Sequence, residues 1–303
     1  MGFLVVVWSG NYIVGKIGLR ELPPLALASF RLVLAGVVLL PVYFASMRPG
    51  KGSACVRPGS SLRDLWTFAY LGFFGVFINQ GGFTLGLSYT SVSHSSLVIG
   101  FVPILILLLS WTQGLERLTT RKLLGVALAF AGAGVVGAEH GWSFRTSTMR
   151  GDLLTLCGGI GLALYTVLGK RVADAYSALR VNVFSNFAGA LLALPIALWQ
   201  GVALTRQDAW HQIGWQGWGA VVYMGMLSSA VCYVLYFWML RYMSPARLGS
   251  VSYLQPVGAT LLAVMLLGEP LTAHIVIGGM LIVAGVYSIQ SRSRGLRAEE
   301  ELA

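Results

Sequence analysis

Charge is scarce in this chain, and acid is scarcest. Of 303 residues only 11% are charged, and Asp plus Glu number 11 against 21 Lys plus Arg. Three cysteines, Cys55, Cys157 and Cys232, are too few and too scattered for a disulfide framework or a metal centre. His94, His140, His211 and His274 have no metal-ligand spacing, and no nucleophile stands beside a base. The phosphate-cradling GxxxxGK[ST] loop is also missing, so ATP-driven transport would need a separate subunit. These absences exclude the common enzyme classes, and no metal or cofactor is expected. The breaks between apolar stretches are short, which leaves no room for a soluble domain.

Apolar surface is what the chain has. Hydrophobic residues make up 56% and the mean hydropathy is +0.74, far from the balance of a soluble domain. Crossing a hydrocarbon core of about 30 Å takes about 20 apolar residues in a helix. Ten such spans can be drawn, at roughly 2–19, 24–45, 65–87, 92–112, 122–138, 152–169, 181–199, 217–239, 246–267 and 274–290. The expected fold is therefore an all-α integral membrane protein. The first span lacks a basic leader and a small-residue cleavage site, so it reads as a retained helix.

The net charge of +10 could point to nucleic acid, but its placement points to a bilayer. With the N-terminus inside, the inner face holds Arg48, Lys51, Arg57, Arg63, Arg117, Arg121, Lys122, Lys170, Arg171, Arg180, Arg241, Arg247, Arg292, Arg294 and Arg297. The outer face holds Arg20, Arg145, Arg150 and Arg206. That asymmetry predicts both termini in the cytoplasm and a multi-pass protein of the cytoplasmic membrane. The implied partners are the lipid bilayer and a small-molecule substrate, with no nucleic acid. A monomer satisfies the sequence, and nothing in it fixes the oligomeric state.

The chain also repeats itself. Shifted by 153 positions, Leu87, Tyr89, Ser91, Pro103, Glu116, Thr119, Gly125 and Gly132 fall on Leu240, Tyr242, Ser244, Pro256, Glu269, Thr272, Gly278 and Gly285. Tyr12 falls on Tyr165 and Tyr70 on Tyr223. Each half has five spans, an odd number, so the halves must cross the membrane in opposite directions. Ten transmembrane helices in two inverted five-helix repeats is the arrangement by which many carriers build two-sided access to a central site.

The run Trp8-Ser9-Gly10-Asn11, followed by Lys16, Pro24, Arg31 and Ala35, resembles the opening of the EamA-like branch of the drug/metabolite transporter superfamily. Tyr89-Thr90-Ser91-Val92-Ser93, Pro103 and Glu116-Arg117-Leu118-Thr119 fit the same pattern. Their second copies are Tyr242-Met243-Ser244-Pro245-Ala246, Pro256 and Gly268-Glu269-Pro270-Leu271-Thr272. The resemblance implies one five-helix repeat over 1–138 and another over 152–290, with a cytoplasmic tail at 291–303. It also implies export of small metabolites, often amino acids, or of drugs.

Candidate site residues follow from what is costly in lipid. Pro103 and Pro256, in the middle of equivalent spans, each remove a backbone hydrogen bond, and the freed carbonyls must face protein or a cavity. They are the expected helix breaks and gates. Lys16 and Arg31 are the cations within spans, and each must find a partner or water. Either they attract a substrate carboxylate, or Lys16 snorkels outward and Arg31 pairs with carbonyls or Glu21. No Asp or Glu lies deep in a span, which argues against cationic cargo and against proton coupling through an embedded acid. The uncharged polar and aromatic residues expected to shape a substrate site are Asn11, Tyr12, Asn79, Gln80, Ser96, Tyr165, Tyr233, Tyr253 and Gln255, although such groups also glue helices together. Export of amino acids or related zwitterions and organic anions by alternating access is the expected function. Efflux of uncharged or anionic toxic compounds is the alternative, and a receptor or structural membrane protein a more distant one.

Overall fold

The computed structural model describes residues 1–46, 62–90, 92–138, 146–173, 175–267 and 273–290. The basic loop at 47–61, the connection at 139–145, Glu269 and the 291–303 tail lie outside the described residues. Among the described residues every regular element is helical. The path runs α1 (Gly2–Gly18), α2 (Pro24–Ser46), α3 (Leu62–Leu71), a π-helical stretch (Gly72–Ile78), α4 (Asn79–Tyr89), α5 (Val92–Ile99), α6 (Val102–Thr112) and α7 (Thr120–Ala138). It continues through α8 (Thr146–Val172), α9 (Ala178–Arg206), α10 (Trp215–Val222), a second π stretch (Tyr223–Val231), α11 (Cys232–Tyr242), α12 (Pro245–Gly249), a 3-10 turn (Ser250–Tyr253), α13 (Leu254–Leu267) and α14 (Ala273–Gln290).

Four pairs of helix starts keep one spacing. α3 and α10 begin at 62 and 215, α4 and α11 at 79 and 232, α5 and α12 at 92 and 245, α7 and α14 at 120 and 273, each pair 153 residues apart. The helices overrun the expected spans by a few residues, most at α8 and α9, because the polar ends continue the backbone ladder past the apolar window.

Four stretches, Pro24–Ala45, Met149–Val172, Ala178–Arg206 and Trp215–Tyr242, are long and apolar enough to cross a membrane. Their surroundings fit lipid rather than water. Val37, Leu153, Leu191 and Leu198 are more than half exposed, while Arg31, Asn182 and Asn186 are buried. This inside-out distribution defines an all-helical membrane fold.

The halves interlock. α2 packs along α9, α7 along α14 and α4 along α8, the most extensive helix contacts of the fold. Between α7 and α14 the backbones meet directly. A methyl group on Gly285 would lie 2.5 Å from the carbonyl oxygen of Gly125, and one on Gly132 would lie 2.6 Å from that of Gly278. Only glycine permits that approach. The register falls along α14 as it rises along α7, so these equivalent helices run antiparallel.

The prolines act at helix starts. Pro103 is in the first turn of α6 and Pro256 in the first turn of α13, where a missing backbone N–H is an orphan in any case. Spans four and nine are therefore interrupted, by the Gly100–Phe101 turn and by the 3-10 segment, instead of being single kinked helices. The two π stretches add a second matched pair of irregularities, in spans three and eight, and π geometry recurs at functional sites.

Candidate functional site

The two halves enclose a cavity of about 50 Å³. Seven expected residues line it: Asn11 and Tyr12 from α1, Arg31 from α2, Asn79 and Gln80 from the start of α4, Tyr233 from α11 and Gln255 from α13. The placement of the amides on α4 and α13 follows from the local fold. The first π stretch ends at Ile78 and delivers Asn79 and Gln80; the break before α13 delivers Gln255. The volume admits a few waters at about 10–15 Å³ each.

Arg31 is 2% exposed and lies among neutral oxygens. Its Nη1 donates to Thr84 Oγ1 at 3.0 Å, and its Nη2 donates to Gln80 Oε1 at 3.2 Å and to Ser229 Oγ at 3.1 Å. The guanidinium stays protonated, so its charge is held by side-chain dipoles. Glu21 is not its partner, since the Glu21 carboxylate accepts the Gly217 N–H at 2.7 Å. Around the cavity, Tyr12 donates to Gln255 Oε1 at 3.3 Å and Ser9 donates to the Gln255 carbonyl at 3.0 Å. Tyr233 donates to Asn79 Oδ1, and Asn79 Nδ2 donates to the Gly158 carbonyl at 2.8 Å.

The other expected residues lie elsewhere. Tyr165, the repeat partner of Tyr12, is outside the lining and makes tilted and edge-on contacts with Tyr233 and Phe237, ring centroids 5.7 and 6.0 Å away. Tyr253 belongs to a separate apolar cluster with Ile282 and Val286. Ser96 is buried on α5, and neither Pro103 nor Pro256 lines the cavity. Lys16 donates to the Thr90 carbonyl at 2.6 Å, capping the end of α4. Sequence reasoning missed the apolar wall of Trp8, Phe83, Ile99 and Leu162, and also Ser228. Thr84 and Ser229, which hold Arg31, were missed as well. A hydroxyl within an apolar span was the only signal for Ser228, Thr84 and Ser229.

Hydrogen bonds tie helix ends at two places in the fold. At one, Lys16 holds Thr90, whose hydroxyl donates to Asp152 Oδ1 at 2.8 Å. At the other, Lys170 donates to the Leu240 and Arg241 carbonyls at 2.9 and 3.1 Å, capping α11 as Lys16 caps α4. Glu116 joins them there, accepting the Ala246 N–H at 2.7 Å and Lys122 Nζ at 2.5 Å. The Tyr176 hydroxyl donates to Asp64. Among the described residues no three His, Cys, Asp or Glu side chains converge as metal ligands would.

A cavity lined by a buried arginine, four amides and an apolar wall sits between the two packed halves of an apolar helical fold. The sequence pattern of the EamA-like transporter family matches residues 1–138 and 149–290, and the chain belongs to that family. It is 28% identical to an uncharacterized transporter of Archaeoglobus fulgidus over 95% of this chain and 94% of that one. It is 29% identical to the uncharacterized inner membrane transporter YedA of Escherichia coli K12, over 89% and 82%. A solved crystal structure with 21% identity shares the fold with a TM-score of 0.72, covering 99% of this chain and 96% of the other.

Proposed function

We propose that the chain is an exporter that carries small metabolites, amino acids or related zwitterions and organic anions, across the cytoplasmic membrane by alternating access. In this reading ten spanning helices form two inverted repeats with both termini in the cytoplasm. The common 153-residue spacing of helix starts and the antiparallel run of α7 against α14 support the inversion. The family and the relative named an inner membrane transporter support the location.

One observation carries the functional reading: a buried cation and several amides from both halves converge on a single cavity. Transport then requires the cavity to open to each side in turn and to widen around its cargo. The mostly aromatic and aliphatic wall favours the alternative cargo, uncharged or anionic toxic compounds, to the extent that it accepts apolar bodies.

Counterflow in proteoliposomes with a panel of amino acids, organic acids, nucleosides and dyes tests the proposal. Exchange of labelled amino or organic acids is the expected result. Dye uptake with no competition by amino acids would favour the toxic-compound reading, and no exchange of any solute by folded protein would overturn transport.

A further inference from the structure

We propose that the cargo must carry a free carboxylate, and that Arg31 is the residue that reads it. The inference rests on the transport reading above and narrows it to one requirement.

The cavity holds a cation without an anion. The hydrogen bonds of the Arg31 Nη atoms all end on neutral oxygens. The five acids in the described residues are engaged elsewhere: Glu21 with Gly217, Asp64 with Tyr176, Glu116 with Ala246 and Lys122, Asp152 with Thr90, and the exposed Asp208 beside His211. None of them lines the cavity. A buried charge lacking a counter-charge is costly, and an anionic cargo supplies that counter-charge.

Three buried polar atoms on cavity-lining residues have no partner among the described residues: Arg31 Nε, Gln80 Nε2 and Asn11 Oδ1. The first two are donors and ask for an acceptor. The third is an acceptor and asks for a donor. A carboxylate with a neighbouring N–H or O–H answers all three. The first turn of α13 brings Gln255 to the same cavity, and a helix N-terminus carries positive potential of the same sign as Arg31. Trp8, Tyr12, Phe83 and Tyr233 also line the cavity, and aromatic rings can receive an apolar body or an ammonium group, so a zwitterion needs no embedded acid.

The second half carries no equivalent of the charge. At the repeat-equivalent positions, 153 residues on, Arg31 is replaced by Phe184 and Asn11 by Leu164. The second half builds the same helices without either polar group, so a purely architectural role for Arg31 has no counterpart there.

The test compares acids with their own amides on the full chain in proteoliposomes: phenylacetate against phenylacetamide, and phenylalanine against phenylalaninamide. Loss of one charge-assisted contact predicts that each acid outcompetes its amide by about tenfold or more in counterflow. Arg31→Met should abolish that ratio, and Arg31→Lys should restore part of it. Amides that compete as well as acids would overturn the inference while leaving transport intact. If no solute moves, transport fails, and thermal stabilisation of the detergent-solubilised wild-type protein decides the inference alone. Stabilisation by the acids and not the amides supports it; equal effects, or none from either, overturn it. Should Arg31→Met not fold, the wild-type acid-to-amide ratio still decides.

Discussion

Thr90 and Asp152 tie the two halves together side chain to side chain, the Thr90 hydroxyl lying 2.8 Å from Asp152 Oδ1. Asp152 sits near the start of α8, half-buried, and does not line the cavity. A proton-coupling carboxylate has to sense the cargo, and this one is placed to fasten a helix end. Asp152→Asn keeps an oxygen that accepts from Thr90, so flux should stay within about twofold of wild type. Collapsing the pH gradient should leave the rate of either protein unchanged. A strict dependence on an imposed proton gradient, lost in Asp152→Asn, would make Asp152 the coupling residue.

The contact of α7 with α14 sets a second expectation. A methyl group on Gly285 meets the Gly125 carbonyl oxygen at 2.5 Å and the Ala129 nitrogen at 2.6 Å, whereas one on Gly134 meets nothing within 4 Å. Gly285→Ala should destabilise by about 1–3 kcal/mol through overpacking. Gly134→Ala should be neutral or stabilise by up to about 1 kcal/mol through helix propensity. Folded yield and thermal midpoint in detergent measure both, and equal behaviour of the two variants would refute the backbone contact.

Pro256 holds α13 to its start. Alanine there restores an N–H and lets the helix extend back through Ser250–Tyr253, which turns Gln255 away from Tyr12 and Ser9. Flux per folded molecule should fall by about tenfold, the scale of one misplaced binding contact, with a much smaller loss of folded yield. If yield drops while flux per molecule holds, the break is architectural only.

Topology is open to thiol labelling. A cysteine placed at Ser143 should react with an impermeant reagent from outside only, and native Cys55 from inside only, as the basic-residue asymmetry requires. Labelling of position 143 only from the cytoplasm would reverse the orientation.

Much of the site was legible because polar groups in apolar spans have few places to go. Asn11, Asn79, Gln80 and Arg31 stand out against their neighbours, and lipid excludes them. Which polar residues share one cavity was less legible. Tyr12 and Tyr165 are equivalent in sequence, yet only Tyr12 lines the cavity. The Tyr165 ring occupies the space a side chain at Gly75 would need, whereas the position equivalent to Gly75 is Ser228, itself part of the lining. Trp8, Phe83, Ile99 and Leu162 carried no signal, since an apolar residue facing a cavity looks the same in sequence as one facing lipid. The π stretches left none either, because they are a property of the backbone ladder.

The placement of Arg31 in one half only has a consequence for how membrane voltage acts. With an anionic cargo bound, the site is electrically neutral; after release it carries a single positive charge. The voltage-sensitive event in each cycle is then the return of the empty carrier, not the passage of the loaded one. An inside-negative potential draws the empty, cationic site back toward the cytoplasm, with up to about 2.3 kcal/mol available per 100 mV if the full charge crosses the field. Hyperpolarised cells would reset such an exporter faster, and depolarisation would slow it without changing its affinity for cargo.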